Sequence, residues 1–225
     1  PFYRAIAAER ETVEVVAQVV VPPKVITFTA SGWTMLLRDT GSVSPNFAGI
    51  FARANVADSN ALQLNGFLNV ERGDIIRLRG WVDEFPSSPL TMNSATQFVP
   101  VPGMQIDIVD TRPVPAPILK TAGDFYEGIA TGGKVKYSTG EPFEAQVVTL
   151  TGLTVVSYLN QTNGTFNMVD DAGNMISMLD VSKWFTLRAH RDLASTYALP
   201  PINARIDTIR GYLSTNSGSE NIRGY

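Results

Sequence analysis

The chain has 225 residues, 44% of them hydrophobic, and a formal net charge of −3 at pH 7. This is the composition of a globular protein, and the length suffices for two cores of roughly 100 residues each. The charge is split into −1 for residues 1–104 and −2 for residues 105–225, which argues against the cationic excess of a strong nucleic-acid binder. The lack of cysteine excludes disulfides, zinc-thiolate sites and thiol nucleophiles.

Short apolar and alternating runs, separated by Gly, Pro, Asn and Asp, predict a chain built from β-strands. The first strand is predicted over residues 12–29, bent at Pro22-Pro23 because proline cannot donate to a sheet ladder. The remaining elements of the first half are strands over residues 33–38, 47–54, 74–85 and 91–99, with a short helix over residues 59–64.

The second half repeats this order. Its predicted strands cover residues 145–158, 165–169, 175–179 and 204–213, and a fifth begins near residue 220. Between the halves, prolines over residues 101–118 predict an extended, semi-rigid bridge, followed by a weakly helical stretch over residues 119–129. We therefore predict a first module at 1–104, a linker with a weak helix at 105–139 and a second module at 140–225. Because the chain stops inside a predicted strand, we expect the second module to be truncated and the chain to be a segment of a longer protein.

Three landmarks recur at one spacing. Asp39 and Asp170 begin similar turns, and their positions in the chain differ by 131. The same offset separates Gly80 from Gly211 in similar strands, and it separates the apolar run at Val19 from the one at Leu150. A pattern repeated at a fixed offset indicates a tandem duplication. The duplication also makes Trp81 and Tyr212, each directly after the strand glycine, equivalent positions, and it predicts a packing role for both rings.

The five-strand order, with a long bent first strand and a Gly-Asp entry into the fourth, resembles the OB-fold, a small Greek-key barrel. Four segments of the first half are similar to OB modules of secreted bacterial proteins. They are Val15-Val16-Ala17-Gln18-Val19-Val20, Thr34-Met35-Leu36-Leu37-Arg38-Asp39, Ala48-Gly49-Ile50-Phe51 and Gly73-Asp74-Ile75-Ile76-Arg77-Leu78-Arg79-Gly80-Trp81-Val82. The start of the second module resembles the linker-and-strand motif between tandem modules of large exported proteins of the Bacteroidota type. This motif is Gly140-Glu141-Pro142-Phe143-Glu144-Ala145, followed by Val148-Thr149-Leu150. The resemblance implies an all-β chain of two tandem OB-fold-like barrels joined by a Pro/Gly-rich linker.

The candidate binding residues lie on the predicted strands of the first module. Period two places Arg77, Arg79 and Trp81 on one strand face, a pattern that could form a single-stranded nucleic-acid platform. The alternative is that the arginines lie in solvent while Trp81 covers the barrel end, and aromatic residues elsewhere in the module would equally serve as core. The full set is Trp33, Arg38, Phe51, Arg77, Arg79 and Trp81.

Other motifs predict no catalytic, metal or cofactor site. Residues 170–174 offer oxygen ligands for calcium, but a turn requires the same residue types and the later glutamate of an EF-hand loop is missing. His190 is the sole histidine and lacks marked catalytic partners. The glycines at 131–133, followed by Lys134, lack the spacing of a phosphate-binding loop.

Two functional hypotheses follow. The first is a non-catalytic structural or adhesive segment of a larger exported protein, secreted or at the cell surface, whose partners are other chains or other domains of the parent protein. The second is a module that binds single-stranded nucleic acid or oligosaccharide on the face of strands two and three, either alone or as an accessory to a secreted nuclease or hydrolase. Neither hypothesis involves membrane insertion, a cofactor or an enzymatic activity within this chain.

Overall fold

A computed structural model describes residues 11–29, 32–41, 43–85, 95–128, 134–161, 164–180 and 198–214. The architecture is all-β, with a closed five-strand barrel followed by a half-barrel. The strands are β1 Val13–Thr29, β2 Gly32–Asp39, β3 Gly49–Asn55, β4 Asp74–Phe85, β5 Ala95–Pro100, β6 Asp107–Thr111, β7 Ile118–Lys120, β8 Tyr126–Glu127, β9 Lys134–Val135, β10 Val147–Asn160, β11 Thr165–Val169, β12 Met175–Met178 and β13 Arg205–Tyr212; the helices are α1 Ser59–Leu64 and α2 Tyr137–Gly140.

The first barrel closes because β1 is long enough to pair with two strands, β2 and β4. Its first residues pair with β4, and the stretch from Ala17 to Thr29 pairs with β2. The circuit then runs from β2 to β3, from β3 to the parallel strand β5, and back to the antiparallel strand β4. Register shifts in β1 fall between Val19 and Thr29. Pro22 and Pro23 lie in this stretch and have no backbone N–H to donate to the sheet, so the predicted bend is confirmed.

The barrel core follows the period-two alternation of its strands. Met35 and Leu37 of β2, together with Ile76 and Leu78 of β4, are buried on the inner face, while the residues between them point outward. Helix α1, which matches the predicted residues 59–64, adds Leu62 to this cluster. The core therefore depends on one face of each strand plus a short helical plug.

The half-barrel repeats part of this arrangement. Strand β10 lies between β11 and β13, and β12 adds to β11, which reproduces the order β3-β2-β1-β4 of the first barrel. A separate core contains Phe125, Leu153, Phe166, Met168 and Ile176. The predicted fifth strand near residue 220 lies outside the described residues.

The linker contributes strands to both modules. Strand β6 pairs with β4 of the barrel, and β7 pairs in parallel with β10 of the half-barrel. The predicted helix over residues 119–129 is wrong for residues 119–128, the part that the structure describes: there only Ala122–Asp124 form a 3-10 turn, with strands on either side. Backbone pairing with β10 keeps residues 118–120 extended and overrides the weak helical pattern.

The common offset of 131 does not extend to the first strand. Leu150 pairs with Ile209, whereas Val15 pairs with Leu78. If the offset of 131 makes Ile209 equivalent to Leu78, then the pairing makes Leu150 equivalent to Val15, at an offset of 135, and not to Val19. Strand β1 has 17 residues and β10 has 14, so the longer first strand, with its register shifts around Pro22-Pro23, contributes to the displacement.

Candidate binding surfaces

The second module covers part of the outer face of the first barrel. Leu36 and Phe51 are direct partners across β2 and β3, and both point away from the barrel core. Their exposed fractions are nevertheless only 0% and 6%. They pack, together with Ile26, against Ala145, Val147 and Tyr212 of the second module, so this face is an internal interface.

Specific contacts hold the interface together. The rings of Phe51 and Tyr212 meet edge-on, with centroids 5.7 Å apart. The Phe47 amide donates a hydrogen bond to the Pro142 carbonyl at 2.7 Å, and the Gln146 amide group donates to the carbonyls of Pro45 and Pro142. The two modules are therefore joined by packing and by hydrogen bonds, not by the linker alone.

Gly49 permits the close approach of the two backbones. A Cβ atom built on this residue would lie 2.5 Å from the carbonyl oxygen of Ala145 and 2.7 Å from the Gln146 side chain. Real Cβ atoms do not tolerate such distances, so only glycine allows the second module to lie this close.

Tyr212 brings a polar atom into this interface. Its hydroxyl is buried and has no hydrogen-bond partner within the described part of the chain. Burial raises the pKa of the Tyr212 phenol well above its usual range, and the negative charge of Asp180 adds to the effect. The phenol therefore stays neutral at physiological pH, and its hydroxyl is a buried donor without a partner among the described residues.

Two of the predicted binding residues, Arg77 and Arg79, lie on β4. Arg77 and Arg79 project from the same side, with side chains 48% and 54% exposed. Glu14 of β1 lies between them, with carboxylate oxygens 3.6 Å from the Arg77 Nε and 3.7 Å from the Arg79 Nε. One carboxylate thus offsets part of the charge that a phosphate would meet.

Of the other predicted binding residues, Trp33 and Arg38 lie on β2, away from these arginines, and Trp81 lies on their strand. Trp33 is partly buried against the barrel core and donates its indole N–H to the Ser59 hydroxyl at 2.9 Å. Arg38 is partly buried near the end of β2, opposite Gly49. Trp81 is partly buried on β4 opposite Val99 of β5. Only Trp81 shares the strand face of Arg77 and Arg79.

The candidate calcium loop is a turn closed by its own side chains. Asp170 accepts hydrogen bonds from the amides of Ala172 and Asn174 at 3.0 and 2.8 Å. Asp171 is bound by both terminal nitrogens of Arg205 on β13, whose hydrogen bonds and charge hold the pKa of the Asp171 carboxyl below its usual value. These carboxylates serve to fix the turn and to tie it to β13.

No metal centre is found in the described ranges, where no three His, Cys, Asp or Glu side chains converge. His190 and residues 131–133 lie outside those ranges. Buried Asp74 accepts from the Glu71 amide at 2.8 Å and the Thr111 hydroxyl at 3.1 Å, which are structural contacts. Among the described helices, none is long and apolar enough to cross a membrane.

Sequence reasoning singled out Tyr212 for packing but missed its partner. A signal was present in Met35-Leu36-Leu37, where three apolar residues in succession place apolar side chains on both faces of β2. Continuous apolar runs are typical of strands that are buried on both sides. The run therefore indicated that something covers the outside of β2, without identifying the second module.

No protein-family model matches this chain. A search of curated proteins likewise finds no match.

Proposed function

We propose that this chain is a non-catalytic structural and interaction segment of a larger exported bacterial protein, in which two OB-fold-like barrels act as one unit. The OB-fold assignment is supported by the strand circuit β1-β2-β3-β5-β4 with a parallel β3–β5 pair. The matching order around β10 supports the same assignment for the second module. Placement at the cell surface or outside the cell, and partners within the parent protein, follow from the resemblance to exported modules.

One observation carries the proposal: the outer β2–β3 face of the first barrel is covered by the second module of the same chain. OB-folds use this region to bind nucleic acids and sugars. With Leu36 0% exposed and Phe51 6% exposed, that part of the face is used for assembly. A buried face that joins two barrels is expected of a spacer or scaffold, not of an open binding module.

A second candidate function is supported by the β4 face. Exposed Arg77 and Arg79 on the same side as Trp81 are the elements of a single-stranded nucleic-acid platform. Against this, Glu14 lies within 3.7 Å of both arginines and the whole chain has a net charge of −3. We therefore expect no tight binding of oligonucleotides at physiological salt.

Fluorescence anisotropy separates the two functions. A labelled single-stranded oligonucleotide is titrated with the chain at about 0.15 M ionic strength, and a mixture of oligosaccharides is titrated in parallel with tryptophan fluorescence as the readout. The structural proposal predicts no saturable change in either titration. Sub-micromolar, salt-sensitive binding that is lost in the Arg77→Ala/Arg79→Ala variant but kept in Arg112→Ala would establish the binding function instead.

A further inference from the structure

The face of the first barrel that contacts the second module contains three apolar side chains in register across β1, β2 and β3. Val21 pairs with Leu36, and Leu36 pairs with Phe51. All three belong to the cluster that also contains Tyr212 of the second module. We call these three side chains the apolar row; it is the part of the first barrel on which the second module packs.

The second strand of the half-barrel, β11, aligns with β2 of the first barrel. Phe166 and Met168 of β11 are buried in the core of the half-barrel, and an offset of 131 relates them to the core residues on either side of Leu36. Asn167 lies between Phe166 and Met168. It therefore corresponds to Leu36 and faces away from the core.

Three polar side chains lie at this level of the second module. Asn167 pairs with Ser157 of β10 and with Ser177 of β12. A register shift directly precedes Ser157, as one directly precedes Val21 in the first barrel, which supports the correspondence of these two positions. Ser157, Asn167 and Ser177, which we call the polar row, therefore occupy the place of the apolar row.

Hydrogen bonds join the polar row across its three strands. The Asn167 side-chain nitrogen donates to the Ser157 hydroxyl at 3.0 Å, and the Ser177 hydroxyl donates to the Asn167 side-chain oxygen at 2.7 Å. A hydroxyl can donate once and accept twice, so each serine has bonding capacity beyond its one bond within the row. An apolar surface packed over this row would remove that capacity from water, at a cost that the apolar row does not carry.

The contact between the two modules is heterologous, because the end of the second module that carries Tyr212 packs on a different kind of surface of the first. Heterologous contacts can add one unit after another without closing. A polar group at the position where a neighbour would pack selects against such addition. The two rows therefore differ in whether they favour a neighbouring module.

We propose that this row decides whether a module of this type accepts a neighbour on its outer face, and that the polar row of the second module rejects the apolar end of a further module. Docking through this face then joins the second module to the first and goes no further. The proposal rests on the structural role proposed above and identifies the residues that select the neighbour.

The test gives the first barrel the polar row within the full chain. The variant Val21→Ser/Leu36→Asn/Phe51→Ser presents this row to the same end of the second module that packs on the apolar row. Nitrogen-15 relaxation should show the loss of the rotational correlation time common to both modules, and two shorter values should replace it. Far-UV circular dichroism checks that the variant is folded; if it is not, Leu36→Asn/Phe51→Ser, which keeps Val21, is measured in its place.

The matched control makes a similar change on exposed apolar positions of the same sheet. Val16, Ile108 and Val109 are 42%, 54% and 44% exposed, and the variant Val16→Ser/Ile108→Asn/Val109→Ser should keep the single correlation time of the parent.

Two results would overturn the proposal: a single correlation time in the folded chain that carries the polar row on its first barrel, or two values in the control. Two values in the unmodified chain would instead refute the two-module unit of the proposed function, on which this inference rests. The failure of the row and the failure of the unit are therefore distinguishable.

Discussion

The aromatic rings of Phe51 and Tyr212 meet at an angle of 74° across the boundary between the two modules. Such edge-to-face contacts add about 0.5–1.5 kcal/mol beyond the area they bury. Phe51 belongs to the outer face of the first barrel, and Tyr212 ends the last described strand of the second module. The contact therefore makes the stability of each module depend on the other.

Phe51→Ala should destabilise the chain by about 3–5 kcal/mol, the usual cost of truncating a buried phenylalanine. Chemical denaturation followed by far-UV circular dichroism measures the change. Leu64→Ala is the control, because Leu64 is 84% exposed and its truncation should change the free energy of unfolding by about 0.5 kcal/mol or less.

A double-mutant cycle with Tyr212→Ala then isolates the ring contact. If the two residues interact as the geometry indicates, the effects of Phe51→Ala and Tyr212→Ala should be non-additive by about 0.5 kcal/mol or more. Strict additivity would show that the two rings do not stabilise one another.

Tyr212→Phe should leave the stability unchanged or raise it by up to about 1 kcal/mol. The buried hydroxyl has no partner among the described residues, and an unsatisfied buried donor costs about 1–3 kcal/mol, whereas phenylalanine preserves the ring contact. Thermal unfolding of the two proteins measures this. A loss of more than about 1 kcal/mol would mean that the hydroxyl has a stabilising partner.

The same phenol predicts a loss of stability at alkaline pH. The pKa of Tyr212 is raised in the folded chain by burial and by Asp180, so the unfolded chain releases this proton at lower pH than the folded one. Its contribution is fully present below about pH 10, the ordinary tyrosine pKa, and falls as the pH rises above that value. Urea midpoints measured from pH 8 to 11 should therefore decline more steeply for the parent than for Tyr212→Phe.

Gly80 and Gly211 should respond in opposite ways to the same substitution. Gly80→Ala places a methyl group against the Val99 carbonyl and the Phe98 ring, and such overpacking costs about 1–3 kcal/mol or more. Gly211→Ala meets no described heavy atom within 4 Å and should be neutral or slightly stabilising, because alanine reduces the freedom of the unfolded chain. Equal destabilisation by both substitutions would show that Gly211 is already covered.

Local sequence signals predicted most of the strands. The alternation in residues 74–85 and 165–169 gave the ends of β4 and β11 without error, because each strand is bounded by turn residues. The helix prediction over residues 119–129 failed, since pairing of β7 with the distant strand β10 is a tertiary effect. The predicted offset of 131 was wrong for the first strand. Bulges near Pro22-Pro23 change the register of β1, and the sequence pattern does not show how many residues they take up.

The exposure of the candidate site residues was harder to predict, because it also depends on contacts with distant parts of the chain. Period two placed Arg77 and Arg79 correctly on one face of β4, and both are exposed. Phe51 was equally well placed on β3, but whether its outward ring meets solvent depends on Ala145, Val147 and Tyr212, which lie far along the chain. Strand periodicity reports which side a residue faces, not what covers that side.

The two modules form one unit because the second covers part of the β2–β3 face of the first. Nitrogen-15 relaxation of backbone amides tests it directly, by comparing the rotational correlation times of the two modules in one sample. We predict a single correlation time for both modules of the parent chain, and two shorter, separate values when Phe51→Asp places a charge in the interface. Two different values in the parent chain itself would show that the modules tumble independently and that the second does not cover the first in solution.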